Sequence, residues 1–177
     1  TKEEAVKVAV LGAGHGGKAA AADLTLAGHS INLFESTTFA SNLTPIRENG
    51  GIDLVGVGRT GKAVLNMVSS DIGAVLEDVE AVLVCVPAFA HRDIARLCSG
   101  HLRQDMIIFL NPGSTLGSLE FLDQLRSHDP SPPVKIADIH TLTYSARSEG
   151  AQVRILLENK MLWISAFPAR ETSEIID

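Results

Sequence analysis

The sequence is poor in the residues and patterns from which several classes of protein are built. Only two of its 177 residues are cysteine, so a disulfide scaffold is excluded, and we expect Cys85 and Cys98 to be reduced thiols in the core. The formal net charge is −6 and no basic run occurs, which makes nucleic acid and an anionic membrane poor partners. The longest apolar run, residues 81–90, has about half the length of a membrane span. No signal-peptide pattern opens the sequence, so we expect a cytoplasmic protein.

Patterns for the commoner catalytic centres are also missing. The histidines show neither an i,i+4 pair nor a neighbouring cluster of cysteines or carboxylates, so no metal site is predicted. There is no G-x-S-x-G elbow for a nucleophile. Residues 17–19 lack both the hydroxyl side chain and the glycine spacing of a P-loop. The chemistry of this chain must therefore be sought in another kind of motif.

That motif is a set of glycines placed between a predicted strand and a predicted helix. G-x-G-x-x-G follows the β-rich run 6–11, and its first glycine allows a sharp turn out of the strand. The second glycine lets a diphosphate approach the backbone, the third lets the helix pack closely, and the helix N-terminus offers unpaired N–H groups. The alternative is an ordinary glycine turn that binds nothing. The residues of this loop predicted to bind a dinucleotide are Gly12, Ala13, Gly14, His15, Gly16 and Gly17.

A carboxylate follows at the position that such a motif requires. An alanine-rich helix is predicted to end at Gly28, residues 30–34 form a predicted second strand, and Glu35 comes directly after it. Glu35 lies 21 positions beyond Gly14, close to the spacing of the acid that accepts hydrogen bonds from the adenosine ribose. No Lys or Arg occurs in residues 36–39 to pair with a 2′-phosphate, so the pattern favours NAD over NADP. The alternative for Glu35 is a solvated charge at a strand end.

The rest of the chain predicts an α/β protein with a doubly wound parallel sheet, the Rossmann fold. Strands predicted at 67–70, 81–86, 106–110 and 134–138 alternate with helices at 72–77, 88–97 and 116–125, the second of which should turn Ile94 and Leu97 inward. Residues 38–49 form a moderately helical stretch that carries Pro45, so the helix is either broken there or starts late. Residues 52–55 and 62–65 form an inserted β-hairpin, and 129–133 form a loop. Three further strands, at 141–147, 152–157 and 161–167, form a C-terminal antiparallel extension along one edge of the sheet.

Residues after two of the buried strands are further candidates, because ligands bind at the carboxyl ends of parallel strands. Val86, Pro87, Ala88 and His91 follow one strand, and Asn111 and Gly113 follow the next. Pro87 alternatively starts a helix, and His91 alternatively is a partly exposed polar side chain. The loop 111–115, with two hydroxyl side chains, holds a nicotinamide or a substrate carboxylate, or else caps the next helix.

Four segments together resemble the N-terminal domain of opine dehydrogenases, the family of octopine dehydrogenase and the bacterial N-carboxyalkyl amino acid dehydrogenases. These segments are residues 8–17, 86–91, 111–121 and 141–147. The resemblance implies a reductive condensation, in which an amino acid and a 2-oxo acid form an imine that NAD(P)H reduces. It also implies that the catalytic His and its acidic partner lie in a C-terminal helical domain. We therefore assign no catalytic residue, and we expect this chain to bind a cofactor without turning over substrate.

The predicted domain organisation is a dinucleotide-binding domain over residues 1–168, with residues 169–177 leading to a missing helical domain. Three functions remain open: the cofactor part of an opine dehydrogenase, that of a ketopantoate reductase or glycerol-3-phosphate dehydrogenase, or a module that only senses NAD(H). The expected partners are small-molecule substrates. An apolar cluster at residues 161–167 also predicts self-association where a missing domain would dock.

Overall fold

The computed structural model describes residues 4–104, 106–129 and 134–176, so most of the predicted loop 129–133 and both ends of the chain lie outside it. The helices are α1 (His15–Ala27), α2 (Thr44–Asn49), α3 (Ile72–Leu76), α4 (His91–Cys98), α5 (Gly117–Arg126) and α6 (Thr172–Ile176). The strands are β1 (Lys7–Leu11), β2 (Ser30–Phe34), β3 (Ile52–Gly56), β4 (Gly61–Ala63), β5 (Met67–Ser69), β6 (Ala81–Val84), β7 (Met106–Leu110), β8 (Val134–Ile139), β9 (Tyr144–Glu149), β10 (Gln152–Glu158) and β11 (Ile164–Phe167). Short 3-10 helices cover Thr37–Asn42, Ala88–Ala90 and Ala169–Glu171.

The main sheet has seven strands in the order β11-β8-β7-β6-β1-β2-β5. Six of them are parallel, and β11 alone runs antiparallel, against β8. The strand β1 pairs with β2 on one side and with β6 on the other, so the winding direction reverses beside it. This reversal opens a crevice at the carboxyl ends of β1 and β6, where α/β proteins bind ligands. The predicted doubly wound α/β fold is confirmed.

A second sheet of four strands, in the order β4-β3-β10-β9, corrects the prediction for the C-terminal strands. The inserted hairpin β3–β4 is confirmed, but the hairpin β9–β10 pairs with it rather than extending the main sheet. Of the three C-terminal strands, only β11 extends an edge of the main sheet, and residues 161–163 belong to no strand. The physical reason lies in α1, whose four consecutive alanines are all fully buried. A helix buried on both faces needs two covers, and the second sheet supplies the outer one.

Polar contacts also join α1 to the second sheet. The carboxylate of Asp23, buried in α1, accepts a hydrogen bond from the Tyr144 hydroxyl at 2.7 Å. Both carboxylate oxygens lie 3.1 Å from one guanidinium nitrogen of Arg59. Burial and the neighbouring Asp23 raise the pKa of Tyr144, so its hydroxyl keeps its proton as a donor. A buried carboxylate is stable here because it is paired and hydrogen-bonded.

The helices mostly follow the sequence pattern, with one error of orientation. Ile94 faces the core as predicted, but the buried stripe of α4 continues at Ala95 and Cys98, so Leu97 is 40% exposed. Of the two alternatives for residues 38–49, the late start is confirmed: Thr37–Asn42 is a 3-10 helix, and α2 begins at Thr44 with Pro45 in its first turn. Both cysteines are free thiols. Within the described residues, no helix combines the length and apolar character needed to cross a membrane.

Candidate cofactor-binding site

A cleft of about 710 Å³ lies between the glycine loop, the ends of β6 and β7, and β9 of the second sheet. Its lining consists mainly of backbone and small side chains, with few charged groups. Of the predicted site residues it includes Gly14, His15, Gly16, Val86, Pro87 and Ala88. The other lining residues are Cys85, Pro112, Ser114, Thr141, Leu142, Tyr144, Ser145, Ala146, Arg147 and Asn159. Three predicted residues of the glycine loop and three after β6 therefore meet in one cavity with residues of the loop after β7 and of the second sheet.

Each of the three motif glycines is required for a different structural reason. Gly12 has a φ of 107°, and a Cβ there would lie 2.7 Å from the Cys85 carbonyl oxygen. A Cβ on Gly17 would lie 1.7 Å from the Gly12 carbonyl oxygen, which is why α1 can pack so closely on the loop. A Cβ on Gly14 would meet nothing within 4 Å, because it would project into open space beside the cleft. These are the turn, the close packing and the open approach that a dinucleotide motif requires.

The N-terminus of α1 leaves backbone donors for a ligand. The first hydrogen bond of the helix runs from the Lys18 N–H to the Gly14 carbonyl at 2.9 Å. The N–H groups of the three residues before Lys18 therefore have no partner within the helix. Two of these residues, His15 and Gly16, line the cleft. An anionic diphosphate fits this position, because the free N–H groups and the helix dipole both favour negative charge.

Glu35 is held beside the glycine loop rather than in solvent. It is 8% exposed, and its Oε2 accepts a hydrogen bond from the Ala13 N–H at 3.0 Å. Its Oε1 accepts one from the Ser36 N–H at 2.9 Å, and Asn42 Nδ2 donates to Oε2 at 3.2 Å. The interpretation of Glu35 as a solvated strand-end charge is therefore wrong. Three donors fix a buried carboxylate at the carboxyl end of β2, next to the loop that would hold the diphosphate.

The second sheet is attached to the start of α1 by two further contacts. The Ser148 N–H donates to His15 Nδ1 at 3.0 Å, and the Ser148 hydroxyl lies 2.8 Å from the same nitrogen. Lys18 is buried, and its ammonium group donates to the Gly150 carbonyl at 2.9 Å. Burial lowers the pKa of Lys18, while the nearby Glu35 acts in the opposite direction. The hairpin β9–β10 thus forms a wall of the cleft and not a distant extension.

The strand-end residues divide into those that line the cleft and those that support it. Pro87 lies in the cleft wall and directly precedes the 3-10 turn at Ala88–Ala90, and its contact with a cofactor stays a prediction. Asn111 is buried, and its Oδ1 accepts a hydrogen bond from the Thr143 N–H at 3.1 Å. The Gly113 N–H donates to the Ile139 carbonyl at 2.9 Å. Neither Asn111 nor Gly113 is among the cleft-lining residues, so they order the loop whose Pro112 and Ser114 face the cleft.

The loop 111–115 does not cap the next helix. The Ser118 N–H, in the first turn of α5, donates to Asp138 Oδ1 at 2.9 Å, and the Ser118 hydroxyl donates to Oδ2. The residue before α5, Leu116, makes no side-chain cap. A carboxylate from the end of β8 therefore occupies the N-terminus of α5. The hydroxyl of Ser114 remains on the cleft wall.

His91 is placed differently from either expectation. The side chain is fully buried, so the interpretation as a partly exposed residue is wrong, and it is not among the residues that line the cleft. Its Cε1 packs towards Gly117 at the start of α5. Within the described chain neither ring nitrogen makes a hydrogen bond of good geometry, although the Val86 backbone is near enough to favour the protonated ring. Burial lowers the pKa of His91, against the opposing influence of Glu120 and Asp138, which favours the neutral imidazole.

Comparisons with known proteins show that this chain is similar to an opine dehydrogenase. The chain is 36% identical over 146 residues to an opine dehydrogenase of Arthrobacter sp. (strain 1C), an alignment that covers 82% of this chain and 40% of that protein. The chain therefore spans about two fifths of the curated relative it matches. No protein-family model matches the chain.

Solved structures with the same fold agree. Octopine dehydrogenase with NADH and pyruvate superposes with a TM-score of 0.80 at 20% identity, covering 91% of this chain and 43% of that one. Yersinopine dehydrogenase with NADP+ gives a TM-score of 0.75 at 12% identity, covering 92% and 41%. A PanE/ApbA family ketopantoate reductase from Ralstonia eutropha JMP134 gives 0.64 at 23% identity, covering 90% and 49%. The chain is thus similar over most of its length to the N-terminal part of an opine dehydrogenase, and the resemblance predicted from its motifs is confirmed.

Proposed function

We propose that this chain is the NAD(H)-binding part of an oxidoreductase of the opine dehydrogenase type. The observation that carries the proposal is that the two parts of the predicted motif, the glycine loop and Glu35, are in contact. The Glu35 carboxylate accepts a hydrogen bond from the Ala13 N–H at 3.0 Å, beside the N-terminus of α1. A dinucleotide bound there would place its diphosphate over Gly14 and its adenosine ribose within reach of Glu35. The cofactor, when bound, supplies the hydride.

The reaction proposed for the whole protein is a reductive condensation. The amine of an amino acid condenses with a 2-oxo acid to give an imine and water. Hydride transfer from NAD(P)H to the imine carbon, with a proton taken up at the imine nitrogen, then gives a secondary amine and NAD(P)+. The relatives that support this proposal are an opine dehydrogenase and an octopine dehydrogenase solved with NADH and pyruvate. The residues of the described cleft bind and orient the cofactor, and we assign none of them to proton transfer.

We further propose that NAD(H) is preferred to NADP(H). The fold neighbours include a protein with NADH and one with NADP+, so the proposal depends on the residues of this chain. A 2′-phosphate on the ribose would approach the buried Glu35 carboxylate, and like charges at close range repel. Residues 36–39 provide no Lys or Arg to compensate that repulsion. The three donors already on Glu35 leave about one acceptor position of its carboxylate for a ribose hydroxyl. One hydrogen bond to a charged group contributes on the order of 1.5–3 kcal/mol, which suffices for a clear preference.

Titration calorimetry of the 177-residue chain with NADH and NADPH tests both statements. We expect the wild type to bind NADH at least tenfold more tightly than NADPH, and Glu35→Gln to lose most of that difference, mainly by weakening NADH binding. Glu48→Gln is the matched control, because Glu48 is an exposed carboxylate on α2 of the same charge. Equal affinities for both cofactors in the wild type would contradict the assignment of Glu35. Absence of binding to either would contradict the proposed function.

An NADH-oxidation assay with pyruvate and a panel of amino acids tests the enzymatic part. We expect the isolated chain to bind NADH without measurable turnover, because a positioned acid–base group typically contributes a factor of about 10² to 10⁴. A longer protein that carries the remaining part of the relatives' length should turn over these substrates. Turnover of ketopantoate instead would favour the second family of fold neighbours.

A further inference from the structure

We propose that Arg147, on β9 of the second sheet, binds the cofactor diphosphate opposite the glycine loop. The inference rests on the proposed function, since it concerns the same cleft. It assigns to the second sheet a direct part in cofactor binding, beyond covering α1. Neither the glycine motif nor the strand pattern of the main sheet points to this residue.

The geometry of β9 places the guanidinium at the cleft. β9 is an edge strand of the second sheet, so one side of its backbone is not paired with another strand. The Ser148 N–H on this side donates to His15 Nδ1 at 3.0 Å, which brings the free edge against the glycine loop. The Ala146 carbonyl, two residues earlier, points to the same side. Arg147 Nη1 donates to this carbonyl at 2.9 Å, so its guanidinium lies over the edge that faces the cleft.

The charges around the cleft favour an anion at this position. Among the described residues that line it, none is a carboxylate, and Arg147 carries the permanent positive charge. No ion pair of Arg147 is found in the described part of the chain. A guanidinium has five N–H donors, and the contact with Ala146 uses one of them. The chain has a net charge of −6, but Arg147 provides a local positive charge in the cleft. This charge suits a diphosphate, because Arg binds phosphate groups in a bidentate manner.

His15 provides a second donor on the same wall. Because the Ser148 N–H donates to Nδ1, this nitrogen must be an acceptor, and the neutral imidazole therefore carries its proton on Nε2. His15 lines the cleft beside Gly14 and Gly16. The β9 edge thus fixes the tautomer of His15 and positions Arg147 next to it. Together with the N–H groups of α1, the two side chains surround the position of the diphosphate from two sides.

Calorimetry with cofactor fragments tests this assignment. The titrants are NADH, ADP-ribose, which keeps the diphosphate, and adenosine, which lacks it. We expect Arg147→Gln to weaken NADH and ADP-ribose by a similar factor of about ten and to leave adenosine unchanged, and we expect the loss to shrink as the salt concentration rises. Arg147→Lys should retain part of the affinity because it keeps the charge without the planar fork.

Arg154→Gln is the matched control. Arg154 lies directly opposite Arg147 in the β9–β10 register, is exposed, and does not line the cleft, so its removal changes the charge equally without touching the site. Circular dichroism and thermal unfolding of each variant verify the fold. Three results would overturn the inference while leaving the proposed function intact. They are equal losses of affinity for both arginine variants, an unchanged NADH affinity in Arg147→Gln, and an equal loss of affinity for adenosine. A wild-type chain that does not bind NADH would overturn both.

Discussion

Substitution of Gly17 by alanine should damage the fold where the same substitution one residue earlier should not. An added Cβ at Gly17 would lie 1.7 Å from the carbonyl oxygen of Gly12 and 2.9 Å from its carbonyl carbon. Both of these atoms belong to the backbone of the glycine loop, so neither can rotate away. The Gly12 loop is itself held by β1 and by the Gly12 N–H, which donates to the Phe34 carbonyl at 2.9 Å, so α1 must move instead.

The size of the effect follows from that displacement. Cβ atoms essentially never approach another heavy atom within 3.0 Å, so the contact must widen from 1.7 Å to at least that value. Movement of α1 by more than 1 Å disturbs its packing on both sheets, because its alanines are fully buried between them. Overpacking of this kind costs about 1–3 kcal/mol or more. We expect a loss of about 3 kcal/mol, reduced by up to about 1 kcal/mol through the better helix propensity of alanine.

Gly16→Ala and Gly14→Ala are the matched controls. At Gly16 the nearest atom to an added Cβ is Leu142 Cδ2 at 3.5 Å, an ordinary contact with a flexible side chain. This variant should keep or gain stability, by up to about 1 kcal/mol, because alanine replaces glycine within a helix. Gly14→Ala meets no atom within 4 Å and should leave stability nearly unchanged while weakening NADH binding, because its methyl group would enter the space of the diphosphate.

Urea denaturation of the three variants measures these differences directly. For a chain of this length, a net loss of about 2–3 kcal/mol in Gly17→Ala corresponds to a decrease in Tm of roughly 4–12 °C. The reasoning is wrong if Gly17→Ala is as stable as the wild type. It is also wrong if Gly16→Ala loses as much as Gly17→Ala, because the effect would then not come from the Gly12 carbonyl.

Two further predictions concern the pH dependence of stability and the apolar edge of the chain. Burial raises the pKa of Cys98 to about 12, so the folded state keeps a proton that the unfolded state loses above about pH 9. Between about pH 9 and pH 12 this group should therefore lower the free energy of unfolding by about 1.4 kcal/mol per pH unit. The difference in unfolding free energy between the wild type and Cys98→Ala, measured from pH 8 to pH 11, should therefore shrink with rising pH, and a constant difference would refute it. Trp163 and Met161 are 69% and 71% exposed beside a cavity of about 600 Å³ lined in part by Leu116 and Phe167, so the chain should self-associate. Sedimentation should show association that weakens in Trp163→Gln, whereas a monomer at all concentrations would contradict this.

The site elements that are local in sequence could be predicted without the structure. The strand β1, the glycine loop, α1 and Glu35 lie within 30 residues, and each has a backbone or charge requirement that its residue type reveals. The fold of the main sheet was predictable for a similar reason, because buried parallel strands are continuous apolar runs. Their order along the chain then leaves few possible topologies.

The second sheet could not be placed from the sequence. Alternation along β9 and β10 indicates that one face is buried, but it does not specify what covers that face. The partner strand β3 is about one hundred residues away in the chain, so no local pattern records the pairing. Arg147 and Asn159 were missed as cleft residues for this reason. His91 was misjudged because a polar residue at the start of a helix is usually exposed, whereas here α5 packs over it.

The parallel pairing of β3 with β10 has a consequence for the assembly of the chain. Asp53 pairs with Gln152, and the intervening segment of about one hundred residues contains β5 to β8 of the main sheet. The closure entropy of such a loop is offset only by contacts that exist after closure, whereas β1, α1 and β2 can associate through short connections. The cleft wall made by β9 therefore forms only when the two distant segments have met on α1. A nucleotide that needs this wall for binding therefore binds the completely assembled chain and not a chain in which only the main sheet has formed.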